Sequence, residues 1–223
     1  NDLIADTFID IGGLPHPEIP TNHNGKQVNQ RIDGPAPLTR RIFSRENWDM
    51  HGRFYGGWWQ RFNSDFRSTI LLDDQPTVEV DYKGLHIAIL AAEQGRELSG
   101  DPYQVSADIF PDLNRKLVRK MVKRLVLIGM NAKDKSSAYK SFRTGGSSDF
   151  EKHAENTIID QLLEGFLTAN PTMRSFLFTD QGIRLMNIDG QITSWIHNHF
   201  TKQGIPVLSV HDSYIIDCRK VGE

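Results

Sequence analysis

Residues Ile205–Cys218 read IPVLSVHDSYIIDC, two short apolar runs that meet at the dipeptide His211-Asp212. Val207, Leu208 and Val210 on one side and Tyr214, Ile215 and Ile216 on the other have the composition of short strands. The expected element is a hairpin with buried flanks and a carboxylate at its tip. Asp favours ordinary turns as well, so the tip alone decides nothing. Held rigidly over a cleft, such a carboxylate suits a hard cation.

Working outward, Pro76–Gly95 reads PTVEVDYKGLHIAILAAEQG, in which Val78, Val80 and Tyr82 alternate with Glu79 and Asp81. Pro76 opens this strand, Gly84 breaks it, and Leu85–Gln94 follows with helical spacing. Asp81 therefore stands at a strand end, before a strand-to-helix turn; read alone, it is equally a capping residue. Two strand-borne aspartates from distant parts of a chain can share two divalent cations about 3.5–4 Å apart, the arrangement of in-line phosphoryl transfer. Glu79, two residues earlier, points to the same face and reads as a partner for a nearby Arg rather than as a third ligand.

Between the two aspartates, Asn114–Ile128 is a helical run dense in cations from Arg115 to Arg124. Arg119 and Lys123 are four residues apart and share one face, while Val118, Val122, Leu125 and Val126 cover the core side. Taken alone, such a run is usually a solvated helix face. Facing two acids, it would grip a triphosphate through charge-assisted hydrogen bonds.

The order DYKGLH, then Arg119 and Lys123 on a helix, then VHDS resembles motifs A, B and C of the family A polymerases, the superfamily of bacterial DNA polymerase I and the single-subunit phage-type RNA polymerases. Upstream, HGRFYGGWWQ (His51–Gln60) followed by Arg67 is similar to the family's Gly-Arg segment before motif A. The likeness covers Gly52 to Asp217 in patches, with motif C the most specific. It implies that Asp81 and Asp212 bind two Mg2+ ions, with Mn2+ as a substitute and the Tyr82 carbonyl as a further ligand. It implies that Arg119 and Lys123 bind the incoming triphosphate, with Lys123 also protonating the leaving pyrophosphate. His211 would touch the primer terminus, and Arg53 and Arg67 the nucleic acid beside it. His86 and Asn131 would border the nucleotide.

The departures are specific. Eight residues after Lys123 the family usually has Tyr where this chain has Asn131, and four after it Leu127 stands where DNA polymerases often have Phe. Five residues after Asp81, DNA polymerases hold Glu and RNA polymerases Gly; here it is His86. A bulky residue there favours deoxyribonucleotides, whereas GLH and HDS are closer to the RNA polymerase branch, so the choice of sugar stays open.

The fold class these readings predict is α+β: a palm-like small antiparallel sheet packed by helices, with a reduced helical fingers insertion and no thumb. The expected divisions are an irregular segment over 1–50, a first palm part over 51–97, fingers over 98–180 and a second palm part over 181–223. A strand is expected at Gln27–Ile32, helices at Leu85–Gln94, Asp101–Phe110, Asp112–Gly129, Phe150–Thr168 and Gln181–Lys202, and a mobile loop over Ser136–Ser148 around TGGSS. Ile188, Ile192, Trp195 and Ile196 read as a core stripe, and at least two of Phe54, Tyr55, Trp58 and Trp59 as packing residues.

Composition sets the limits. The chain has 223 residues, 38% of them hydrophobic, and a net charge of −2, so nucleic-acid binding would rest on local clusters such as Arg40, Arg41, Arg53, Arg61 and Arg67. A single cysteine, Cys218, excludes an internal disulfide and fits an intracellular setting, cytoplasm or nucleoid; a phage- or mobile-element-encoded polymerase is one source the family resemblance allows. No apolar run of spanning length occurs, so no membrane is expected. The absent initiator Met reads as a fragment or trimmed chain. The expected partners are a primer-template, nucleoside triphosphates and a processivity or helicase/primase factor that makes up for the missing thumb. An RNA polymerase or primase using the same site, a non-catalytic nucleic-acid-binding replication accessory protein and a metal-dependent nuclease are the rival readings.

Overall fold

The computed structural model describes residues 1–11, 18–23, 26–31 and 38–222. Along the chain come α1 (Asp2–Asp6), β1 (Ile9–Ile11), β2 (Glu18–His23), β3 (Lys26–Arg31), β4 (Arg40–Ser44), β5 (Asn47–Tyr55), α2 (Ser64–Arg67), β6 (Ile70–Leu72) and β7 (Gln75–Asp81). A helical stretch follows, with α3 (Leu85–Ala92), α4 (Arg115–Asn131), α5 (Lys135–Thr144), α6 (Asp149–Lys152), α7 (Asn156–Ala169) and α8 (Gly182–Lys202). The chain closes with β8 (Leu208–Val210) and β9 (Ser213–Asp217). The fold is α+β with an antiparallel sheet. Two compact units divide it, one of residues 1–82 and 187–223 and one of residues 83–186. Among the described residues no helix is long and apolar enough to cross a membrane.

In the first unit the five-stranded sheet runs β1-β6-β7-β9-β8. Its tight turns follow from backbone chemistry. Asp73 and Asp74 join β6 to β7 with φ of 49° and 60°, and Arg45 and Glu46 join β4 to β5 with φ of 55° and 52°, the positive pair of a type I′ hairpin turn. One face of the sheet buries Leu208, Val210 and Ile215 with Trp58, Trp59, Phe62, Ile70 and Leu72. The other buries Val207, Tyr214 and Ile216 with Ile205, and Ile196 and Phe200 of α8 pack against them. The hairpin flanks are thus buried, as their composition predicts. Trp58 and Trp59 are core residues.

Register sets which side chains of β7 and β9 share a face. Val80 pairs with Tyr214 and Val78 with Ile216, whereas Glu79 pairs with Ile215 and Asp81 with Ser213. Directly opposed residues share a face, so Val78 and Val80 lie with Tyr214 and Ile216, and the carboxylates lie on the face of Ser213.

In the second unit α4 packs against α5 and α7. Its apolar face buries Val118, Met121, Val122, Leu125 and Val126, and α7 contributes Ile159, Leu162 and Phe166.

Four expectations are corrected. Asp101–Phe110 is not a helix; only Ala107–Ile109 forms a single 3-10 turn. Asp101 and Ser106 turn back onto the amides of Tyr103 and Asp108, and the Val105 carbonyl accepts from Arg115 Nη2 at 2.6 Å, so local bonds displace the helical ladder. Ser136–Ser148 is not a loop: most of it is α5, capped by Asp134 and anchored by buried Ala138, Tyr139 and Phe142. Phe150–Thr168 is two helices, α6 and α7, and Arg143 Nε donates to the Ala154 carbonyl at 2.8 Å in the break. Trp195 is 67% exposed, and the fully covered positions of α8 in the first unit include polar Asn187, Asp189 and Thr193. The expected strand at Gln27–Ile32 is β3, its last residue lying outside the described ones.

Glu151 holds the TGGSS turn. It is 1% exposed and accepts from Arg124 Nη1 at 2.7 Å, from Ser147 N and Oγ at 2.8 Å each, and from Ser148 N at 3.0 Å. Burial works to raise its pKa, but these donors outweigh it and depress the value to about 2. A depressed carboxylate contributes stability above its unfolded pKa and loses that contribution as pH falls through the folded value. Between pH 4.5 and about 2 the protein is expected to lose on the order of 2–3 kcal/mol from this group. Urea titrations across that window check it, with Glu151→Gln expected to show a shallower decline at lower starting stability.

Candidate active site

β7 and β9 end side by side. Asp81, the last residue of β7, is in register with Ser213, the first of β9, and Asp212 precedes Ser213 in the two-residue turn from β8. Asp81 and Asp212, 131 residues apart in sequence, therefore stand at one end of one strand pair. His211 takes φ 57° to make the turn, a conformation in which His, Asn and Asp are enriched among non-glycine residues. Asp212 remains 42% exposed.

Beneath this end lies a polar network. Arg67 forks onto Glu79, Nε to Oε2 at 2.8 Å and Nη2 to Oε1 at 2.7 Å, and Ser213 Oγ donates to Glu79 Oε1 at 2.6 Å. Burial tends to raise the Glu79 pKa, but the bonds from Arg67 and Ser213 prevail and hold it below the ordinary carboxylate range. Glu79 is thus the partner of an Arg, the reading preferred from the sequence over an auxiliary ligand, and it ties Arg67 to the first residue of β9. The Arg67 fork faces this carboxylate rather than solvent phosphate.

Arg53 projects from β5. Its Nε donates to Asp189 of α8, and its Nη2 stands 4.0 Å from Asp212 Oδ1. Asp189 is 0% exposed; burial pushes its carboxyl up to about 6 even though Arg53 pulls it down, and Oδ1 has no hydrogen-bond partner among the described residues. The approach of β5 to α8 runs through two glycines: a Cβ on Gly190 would fall 2.2 Å from the Gly52 carbonyl oxygen, and Gly52 has φ 89°. Arg41 Nε caps that carbonyl at 2.7 Å. Asn187 Nδ2 donates to the Trp48 carbonyl at 2.8 Å, and Gln191 Nε2 to Asn187 Oδ1 at 2.7 Å. Sequence reasoning missed Asp189. The available signal was Gly190, since Gly in a helix interior costs about 1 kcal/mol relative to Ala and marks a close backbone approach.

His211 is half-buried, and burial, followed by the charge of Arg53, lowers its pKa, so its imidazole is neutral at pH 7. Its Nδ1 is enclosed without a partner among the described residues, and its ring lies 5.4 Å from that of Tyr55. Tyr82 follows Asp81 and is partly exposed, with its ring 6.2 Å from Tyr214.

The other predicted residues belong to the second unit. Arg119 is ion-paired to Asp101, its Nη2 donating to Oδ1 at 3.1 Å, and Lys123 Nζ stands 5.8 Å from the Tyr103 ring centre. The Arg119 hydrogen bond, working against slight burial, draws Asp101 below its usual range. Arg115 and Arg124 of the same helix bind the Val105 carbonyl and Glu151, leaving Arg119 and Lys123 as the exposed pair flanking Tyr103. Asn131 Nδ2 donates to the Leu127 carbonyl at 2.7 Å and so caps its own helix. His86 is half-buried on the first turn of α3, after Gly84 at φ 70°.

Among the described residues no three His, Cys, Asp or Glu side chains group into a metal cage. The donors at the β7 and β9 ends are hard carboxylate oxygens. They fit Mg2+, which is usually held by one or two carboxylates and completes its octahedron with water and substrate phosphates. Comparison of the chain with protein-family models, curated proteins and solved structures finds no match.

Proposed function

We propose that the chain is a nucleotidyltransferase that joins nucleoside triphosphates to a nucleic-acid 3′-hydroxyl. More particularly, it is a template-directed polymerase with a family A type palm and helical fingers, with deoxyribonucleotides as preferred substrates. The register of Asp81 against Ser213 carries this reading, because it puts two carboxylates at the mouth of one strand pair, beside a guanidinium.

Under this reading Asp81 and Asp212 hold the cations through hard oxygens, with the Tyr82 carbonyl as a third donor. Divalent cations held by these oxygens would supply acidification of the attacking hydroxyl and charge neutralisation on the transferring phosphoryl group. Arg53, held at Nε by Asp189, contacts the primer end, and neutral His211 packs against its sugar. Arg119 exchanges Asp101 for a phosphate, and Lys123 donates a proton to the departing pyrophosphate. His86 crowds the 2′ position of the sugar.

A labelled primer annealed to a template, with Mg2+ and either deoxy- or ribonucleotides, tests the proposal. Templated extension with deoxyribonucleotides is expected. No extension with either set contradicts it, and primer-independent product from ribonucleotides reassigns the site to RNA synthesis. His86→Gly is expected to cut discrimination against ribonucleotides by roughly tenfold or more, read as the ratio of kcat/KM values.

A further inference from the structure

Asp189 and Asp212 both stand within reach of Arg53. Of the two, its Nε donates to the one that is wholly buried. An exposed carboxylate that binds a cation must keep its lone pairs available, and an adjacent Arg is its strongest competitor, because a guanidinium fork matches both oxygens at once. Here the fork is turned away. Nε is taken by Asp189, and the Nη2 approach to Asp212, at 4.0 Å, is an ion-pair distance beyond hydrogen-bond reach. Asp189 can hold that geometry because it sits on the interior of a long helix, is sealed from solvent and is clamped to β5 by the Gly52–Gly190 contact.

We propose that Asp189 is a positioning residue that withholds the Arg53 guanidinium from Asp212, so that Asp212 stays free to bind a divalent cation while Arg53 still lends its charge to the site. This rests on the reading of Asp212 as a cation ligand. Without Asp189, Arg53 swings to Asp212 and makes the bidentate pair that the cation would have to break.

The test titrates Mn2+ into the 15N-labelled protein without nucleotide and follows paramagnetic broadening of the Ser213 amide. Asp189→Ala is expected to need roughly tenfold more Mn2+, the worth of about one redirected charge-assisted hydrogen bond. Asp189→Asn, which removes the charge without opening a cavity, is expected to fall between it and the wild type. Adding Arg53→Ala to Asp189→Ala should restore the wild-type requirement. The Arg53 Nε signal, identified by its loss in Arg53→Ala, is read alongside: in Asp189→Ala it should respond strongly to a further Asp212→Asn change, and in the wild type barely. Equal Mn2+ requirements, a double variant as weak as Asp189→Ala, or an Nε signal indifferent to Asp189 overturns the proposal. Absence of Ser213 broadening in the wild type instead overturns the nucleotidyltransferase reading, and the Nε signal then still decides which carboxylate holds Arg53.

Discussion

Asp81→Ala and Asp212→Ala are each expected to lower magnesium-dependent primer extension by at least about a thousandfold, the scale set by losing a charge-stabilising group from a phosphoryl-transfer site. Folding should hardly change, and the contrast is what makes the result informative. Asp81 stands exposed at the end of its strand and Asp212 is partly open in a turn, so neither side chain is packed into a hydrophobic core. Surface substitutions away from caps and cores usually shift stability by under about 0.5 kcal/mol. Single-turnover extension rates, set beside denaturant melts of the same preparations, read both quantities. A variant that keeps wild-type rates removes that aspartate from the chemistry.

Trp59→Ala is expected to be the most destabilising single change, at about 3–5 kcal/mol. The side chain is 0% exposed among Trp58, Ile70, Leu72 and Ile215, and its Nε1 donates to the Ser209 carbonyl at 2.9 Å. Gln60 Nε2 donates to the same oxygen, also at 2.9 Å, so Trp59 and Gln60 grip the middle of β8 from two donors. Losing the indole leaves a cavity and loosens the strand that carries the turn of His211 and Asp212. Trp59→Phe keeps much of the volume but drops the hydrogen bond, and a loss of about 1–3 kcal/mol is expected. Equilibrium urea unfolding checks both, and the variants should lose activity in proportion to the disorder of the turn rather than to cation binding.

How much of this could be read from the chain depends on how far apart the interacting groups are. The hairpin at His211-Asp212 and the strand ending at Asp81 were legible because period two and turn chemistry are local signals; the register that joins them was not, since Val78 and Val80 of β7 stay 37% and 44% exposed and no buried face of that strand fixes it. Strand parity put Glu79 on the face of Asp81 and left it either an auxiliary carboxylate or the partner of an Arg; the structure gives it Arg67. The buried face of α8 was not. Ile188, Ile192 and Trp195 outweigh Asn187, Asp189 and Thr193 in any hydrophobic pattern, and burial of Asp189 is tolerable only because Arg53, 136 residues away, arrives opposite it. α5 was hidden by its Lys- and Ser-rich sequence and the adjoining glycines, although Ala138, Tyr139 and Phe142 carry the helical spacing that packs it. Asp101 was read as the start of a helix because its tie to Arg119 is tertiary.

The central claim is that the ends of β7 and β9 form one cation site for nucleotidyl transfer. Crystals soaked with Mn2+ and a non-hydrolysable deoxyribonucleoside triphosphate, measured at the manganese absorption edge, test it most directly. The expected result is anomalous density within coordination distance of carboxylate oxygens from both Asp81 and Asp212, bridged to phosphate oxygens of the nucleotide. Manganese bound elsewhere, or held by only one of the two aspartates with nucleotide present, contradicts it.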